Sequence, residues 1–296
     1  SIVSNPEFLR EGCAIIDFIS PDRVVIGYED NKAKKIMQQI YNPLTFINNN
    51  ENLIIYTDIV SSELIKYAAN SFLATKVAFI NEISDLCEKV GGDIRLVSKG
   101  IGSDSRIGDR FLNPGPGFGG SCFPKDILAL NSIAKENNVN LSIIDSIINS
   151  NDKRKNNMAY KIIEFFKGNI QGKKIALLGL AFKGGTDDIR YSPAINIANI
   201  LLDNGAFIQA YDPQAILNSK NEIRSQNIEY CENYLEACRD ADLLVIATEW
   251  DQFKKINLTK IKEVIKKPAI FDLRNLLDSN KVIKEGFSYV PIGYRA

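Results

Sequence analysis

Residues Lys173–Asp212 read KKIALLGLAFKGGTDDIRYSPAINIANILLDNGAFIQAYD. Ile175–Leu178 is a short continuous apolar run closed by Gly179, the pattern of a strand buried on both faces. Ser192-Pro193 then opens a stretch with helical apolar spacing that runs to Asp203, because proline lacks the N–H that a first-turn residue leaves unpaired anyway. Gly205 ends that stretch, and AFIQAYD is a second apolar run closing on Asp212. Strand, glycine-bearing loop, helix and strand make the repeating unit of a parallel sheet. Toward the C-terminus the alternation continues through ADLLVIATEW (Ala241–Trp250), PAIFDLRN (Pro268–Asn275) and FSYVPIG (Phe287–Gly293), which predicts a doubly wound parallel α/β domain.

In the other direction the period changes. From Ser61, SSELIKYAANSFLATKVAFINEISDLCEKV keeps helical spacing until Gly91-Gly92, a further helix follows Pro124, and a long one covers Ser142 to Lys167, so this middle region is predicted to be all-α. Before Asp58 the signals are short: strand-like runs at Arg23–Gly27 and Leu53–Tyr56, a helical stretch from Lys32 to Tyr41, and Asn-rich loops, the expected tail of an α/β unit. Ser1-Ile2-Val3 reads as the end of a buried strand with Asn5-Pro6 as the turn after it, so the chain is expected to begin inside a domain. The predicted divisions are 1–58, 59–169 and 170–296.

The 296 residues balance 36 Lys and Arg against 36 Asp and Glu, which argues against a polyanion-binding surface and against nucleic acid as a partner. No apolar run is long enough for a membrane-spanning helix, and neither a membrane span nor a secretory signal is expected. Cys13, Cys87, Cys122, Cys231 and Cys238 are odd in number and form no CxxC pair, which speaks against a disulfide framework or a thiolate zinc site and for a reducing cytoplasm. The chain has no histidine. Ser-His and Cys-His dyads are thereby removed, and acid–base work falls to Lys, Asp, Glu or water.

Three constellations remain. Gly117–Asp126, GFGGSCFPKD, puts Cys122 between a glycine cluster and a helix start, where partial positive charge favours a thiolate; a buried, inert thiol is the alternative. Lys66 and Asn70 stand at i and i+4 on one face of an otherwise apolar helix, either as an oxyanion partner with an amide beside it or as a lysine snorkelling to solvent. In NPEFLREG, Glu7 and Glu11 are general bases or solvated loop carboxylates. The Gly179–Gly185 loop lacks the dinucleotide fingerprint, yet Lys183, Arg190 and Arg274 at the strands' carboxyl ends predict a crevice that favours phosphates, with Asp212 in the usual place of a ribose-binding acid. Surface salt bridges are the alternative for all four.

NPEFLREG with DFISPDRVVIG, ELIKYAANSFLATKVAFINEI, GIGSDSRIGDRFLNPGPGFGGSCFPKD and GLAFKGGTDDIRYSPAI together resemble, in one order over essentially the whole chain, the nucleotide-sugar dehydrogenase family. The resemblance implies a remnant of an N-terminal Rossmann-like NAD domain, a central dimerisation region built on a long helix, and a C-terminal UDP-binding domain. It implies oxidation of C6 of UDP-glucose in two NAD-dependent steps to UDP-glucuronate. Cys122 matches the nucleophile, Lys66 the oxyanion partner, Asn70 and Asp126 the pair that holds a water, and Glu7 the carboxylate that assists hydrolysis. Phe8, Leu9, Glu11, the loop from Phe111 through Phe118 to Gly119, Lys183 and Arg274 match substrate contacts. Arg106 matches an arginine reaching a neighbouring subunit, which implies at least a homodimer; Glu11, Lys125 and Arg190 are placed beside the cofactor. Asn113 stands where some relatives carry lysine, a departure within the substrate loop. Because most of the cofactor domain is missing from the matched region, the alternative is a UDP-sugar-binding and dimerising fragment without turnover; dehydrogenases of GDP-mannose or UDP-N-acetyl sugars form a closer one.

Overall fold

The computed structural model describes residues 1–296. In chain order the elements are β1 (Val3–Ser4), α1 (Ala14–Ile19), β2 (Val24–Tyr28), α2 (Asn31–Ile47), β3 (Ile54–Thr57), α3 (Ile59–Val90), α4 (Ile94–Gly102), α5 (Phe123–Glu136) and α6 (Ser142–Phe165). There follow β4 (Lys174–Leu178), α7 (Pro193–Asp203), β5 (Phe207–Tyr211), α8 (Ile216–Glu222), β6 (Ile228–Tyr230), α9 (Tyr234–Cys238), β7 (Leu243–Ile246), α10 (Leu258–Val264), β8 (Ala269–Asp272), α11 (Ser279–Lys284) and β9 (Ser288–Pro291). Packing divides them into two compact units, Ser1–Phe72 with Asp126–Asn140, and Leu73–Lys125 with Leu141–Ala296.

The first unit holds a three-stranded sheet in the order β1-β2-β3. β2 and β3 are parallel, and α2 crosses between them; Asp30 caps that helix by accepting from the Ala33 N–H at 2.8 Å. Val24, Ile26, Leu44 and Leu53 form its small core. The start of the chain differs from expectation. β1 is a two-residue, half-buried edge strand antiparallel to β2, and Ile2 is exposed, because an edge strand has a hydrogen-bonding neighbour on one side only. The helix expected at Lys32–Tyr41 runs on to Ile47 through Pro43, and α1 had no signal in the apolar pattern because none of its residues is buried.

The second unit carries a six-stranded, all-parallel sheet in the order β6-β5-β4-β7-β8-β9. The order reverses between β4 and β7, the switch point of the doubly wound fold. β4, β7 and β8 are buried almost throughout, as their unbroken apolar runs require. The short β6 was not anticipated, since Ile228–Tyr230 is three residues at an edge and half-exposed. Gly179 ends β4 with φ of +97°, and a Cβ there would lie 2.4 Å from the Thr248 side chain; only glycine lets the loops after β4 and β7 close on each other.

Candidate functional site

In the first unit the structure brings four of the anticipated side chains into two bonded pairs. Lys66, on α3, donates from Nζ to the Glu7 backbone carbonyl at 2.6 Å and to Glu7 Oε1 at 3.1 Å. The second Glu7 oxygen accepts from the Leu9 N–H at 2.7 Å, so the segment that carries Phe8 and Leu9 is tied by one carboxylate. The Phe8 ring lies 5.4 Å from the Lys66 ammonium and 3.7 Å from the Arg23 guanidinium, a cation–π arrangement in which Arg23 was not anticipated. One turn beyond Lys66, Asn70 Nδ2 donates to Asp126 Oδ2 at 2.6 Å, and both side chains are buried. A charge-assisted bond of this length pins the carboxylate and aims its other lone pairs. Glu11 sits half-buried in the following turn, beside Arg10, which is bidentate to Asp17.

In the second unit Cys122 is half-buried immediately ahead of α5, with Ser121 Oγ 3.5 Å from its sulfur. None of the five cysteines is in a disulfide; Cys87, Cys231 and Cys238 are buried, and burial pushes Cys231 and Cys238 up to about 12. Phe123, the first residue of α5, is met by the rings of Phe111 and Phe118, each centred 6.0 Å away. Phe111 adopts a positive φ of 65°, and Gly117 and Gly120 have φ of +125° and +87°. A Cβ on Gly119 would fall 2.4 Å from the Tyr191 carbonyl oxygen, so the glycines of this loop answer to close backbone approach.

Residues outside the anticipated set hold the loop in shape. Asn81 Oδ1 accepts from the Gly115 N–H at 2.8 Å, Arg154 Nε donates to the Gly115 carbonyl at 2.8 Å, and Asn151 bonds both backbone groups of Phe118. Arg154 is buried and paired with Asp85 at 2.6 Å; Lys161 joins Asp85 and Glu88, each at 2.8 Å. Burial pushes the Asp85 carboxyl up, but Arg154 and Lys161 outweigh it and hold it below the usual carboxylate range. A signal for these residues was present: Asn151 and Arg154 interrupt the buried α6 stripe of Ile144, Ile147, Met158 and Ile162.

Asp212 is corrected. Its buried carboxylate accepts from the N–H groups of Leu180, Ala181, Gln214 and Ala215 and from Trp250 Nε1, at 2.7 to 3.0 Å. Five donors occupy both oxygens, so the residue knots the loops after β4, β5 and β7 instead of facing a ribose. Arg274 donates to the carbonyls of Ala247 and Phe182 at 2.9 and 3.1 Å and pairs with Glu249, with its guanidinium beside Gly115 of the Phe111–Gly119 loop. Lys183 lies 5.4 Å from the Phe182 ring. Arg190 is exposed and clasped by Asp188, but its carbonyl accepts from the Gly120 N–H at 2.7 Å. Arg106 is exposed and bidentate to Asp104, and Lys125 is exposed on the first turn of α5.

The fold and these clusters define a class: a chain with a doubly wound parallel α/β domain and a helical region that presents a half-buried cysteine at a helix start. Comparison with known proteins narrows it. Residues 60–153 match the central-domain model of the UDP-glucose/GDP-mannose dehydrogenase family, 176–279 its UDP-binding domain and 1–45 its NAD-binding domain. Over 293 residues the chain is 50% identical to UDP-glucose 6-dehydrogenase of Rickettsia conorii, covering 99% of this chain and 67% of that protein. Identity to the Rhizobium meliloti UDP-glucose 6-dehydrogenase is 46% over 295 residues, 99% of this chain and 66% of the relative. A UDP-glucose dehydrogenase structure from Pyrobaculum islandicum superposes with a TM-score of 0.87 at 32% identity, covering 100% of this chain and 64% of the other. The chain therefore belongs to the UDP-glucose/GDP-mannose dehydrogenase family, and it spans about two thirds of the length of the relatives it matches. The NAD-binding domain is represented only in part.

Proposed function

We propose that this chain carries the substrate-binding and covalent machinery of an NAD-dependent oxidation of UDP-glucose to UDP-glucuronate. The observation that carries the proposal is the 50% identity to a UDP-glucose 6-dehydrogenase over nearly the whole chain, with Cys122 half-buried at the start of α5. The residues present fit the cofactor in part: β2-α2-β3 is a parallel unit inside the segment matched by the NAD-binding model. Gly115–Gly120 has G-x-G-x-x-G spacing but follows no strand, and its Gly115, Phe118 and Gly120 amides are spent on protein oxygens, so it is not a pyrophosphate turn. NAD, when bound, supplies the hydride acceptor for both oxidations.

The remaining chemistry belongs to side chains. Loss of a hydride and the hydroxyl proton from C6 leaves an aldehyde, and the Lys66 ammonium, steadied by Glu7, stabilises negative charge on its oxygen. Cys122 Sγ adds to C6 as the carbonyl π pair moves to oxygen and the thiol proton passes to that oxygen, giving a thiohemiacetal; loss of the second hydride and this hydroxyl proton leaves a thioester. A water held by Asn70 and Asp126 adds to the thioester carbonyl, the C–S bond breaks, and the thiol and carboxylate are released, with Glu7 assisting proton removal. Phe8, Leu9, Glu11, the Phe111–Gly119 loop, Lys183 and Arg274 bind the sugar nucleotide, Glu11, Lys125 and Arg190 would hold the cofactor, and Arg106 serves a neighbouring subunit's site. Residues 1–58, 59–169 and 170–296 act as cofactor-domain tail, dimerisation region and nucleotide domain of a cytoplasmic homodimer. No helix is long and apolar enough to cross a membrane.

Calorimetry of the purified chain with UDP-glucose, GDP-mannose and a UDP-N-acetyl sugar tests the substrate. UDP-glucose is expected to bind tightest, and a preference for another sugar nucleotide replaces it as the substrate. Restoring a complete NAD-binding domain in cis and following NADH absorbance tests the reaction.

A further inference from the structure

The Asn151 side chain treats Phe118 as a neighbouring strand would: Oδ1 accepts from the Phe118 N–H at 2.8 Å, and Nδ2 donates to the Phe118 carbonyl at 3.0 Å. Two opposed bonds from one planar amide fix the peptide on both sides of Phe118. Asn151 is only 6% exposed, so water does not compete for either bond. Its flanks allow no slack, since a Cβ on Gly117 would lie 3.0 Å from Asn151 Oδ1 and one on Gly119 would collide with the Tyr191 carbonyl. The Phe118 ring then stands edge-on against Phe123, the residue next to Cys122 and the first of α5. A short mechanical chain thus runs from α6 through Phe118 and Phe123 to the thiol.

We propose that Asn151 is a positioning residue for Cys122, acting through the Phe118 backbone, with Asn81 and Arg154 as the second anchor at Gly115. The functional weight of this rests on reading Cys122 as the nucleophile, but the geometry is testable without turnover.

Peptide-resolved alkylation with iodoacetamide on the full 296-residue chain compares Cys122 with the exposed Cys13, an internal reference, and with the buried Cys87, Cys231 and Cys238, which report general loosening. Asn151→Leu keeps a similar volume and removes both bonds. The Cys122-to-Cys13 rate ratio is expected to rise by about tenfold, the scale of two lost buried hydrogen bonds. Hydrogen exchange should quicken over residues 113–120 while the three buried cysteines stay protected. An unchanged or lowered ratio overturns the proposal, even if exchange quickens. If Asn151→Leu exposes every cysteine, Asn151→Asp decides: it retains the acceptor for the Phe118 N–H and should raise the ratio by about threefold, the scale of one bond, with no rise overturning the proposal. Failure of the chain to bind or oxidise UDP-glucose would fall on the proposed function and leave this ratio untouched.

Discussion

Cys122 and Lys66 separate a chemical role from a packing role most sharply. In a chain with a complete NAD-binding domain, Cys122→Ser is expected to abolish glucuronate formation, measured by mass spectrometry of the products; undiminished product would remove the covalent route. Lys66→Ala should lower kcat by on the order of 10²-fold as an oxyanion partner, whereas a lysine that merely snorkels would change steady-state rates little. Gly119→Ala should destabilise the protein by about 1–3 kcal/mol, because its methyl group meets a backbone oxygen that no rotamer can move aside. Thermal melting reads that change. The sequence singles out Lys66 as a cation on an otherwise apolar helix, with Asn70 one turn on, and Cys122 as a thiol between a glycine cluster and a helix start. The pairing of Asn70 with Asp126 was not legible, since 56 residues separate them and no local spacing reports such a bond.

The elements differ in how far their sequences announced them. α7 begins and ends where Pro193 and the glycine after Asn204 place it, and the buried strands β4, β5, β7 and β8 follow their apolar runs. The edge strand β6 and the short helix α1 escaped, because a half-exposed segment of a few residues carries no period. The α6 stripe was legible as helix but not as a clamp; Arg154 looks like any lysine-region charge until Asp85 and the Gly115 carbonyl are seen opposite it. That network carries a pH signature. The Asp85 carboxyl is held below its ordinary range in the folded state, so its stabilisation is present at neutral pH and is lost as pH falls below about 4, where an unfolded carboxylate takes up its proton. The melting temperature of the wild type should therefore fall between neutral and acid pH, and Asp85→Asn should be less stable at neutral pH with a flatter dependence on pH.

On the scale of the whole molecule, the family resemblance sorts three regions that composition alone could not. Net charge, the missing histidines and the unpaired cysteines narrowed the chemistry without naming a substrate, and four motifs in one order supplied the rest. Along α3, Phe79, Leu86 and Val90 are 50, 55 and 71% exposed, an apolar line on the helix proposed to form the homodimer. Phe79→Glu is expected to shift sedimentation from dimer toward monomer; an unaltered dimer places the interface elsewhere. The saturated carboxylate of Asp212 has a practical bearing on protein engineering. At the equivalent place in many nucleotide-binding proteins an acidic side chain is swapped to retune which cofactor or base is accepted, yet here the same exchange would strip five backbone and indole donors of their acceptor and collapse three loops. Selectivity will have to be rewritten at residues that end in open space, and a library that spares Asp212 should yield folded variants where one that randomises it yields aggregates.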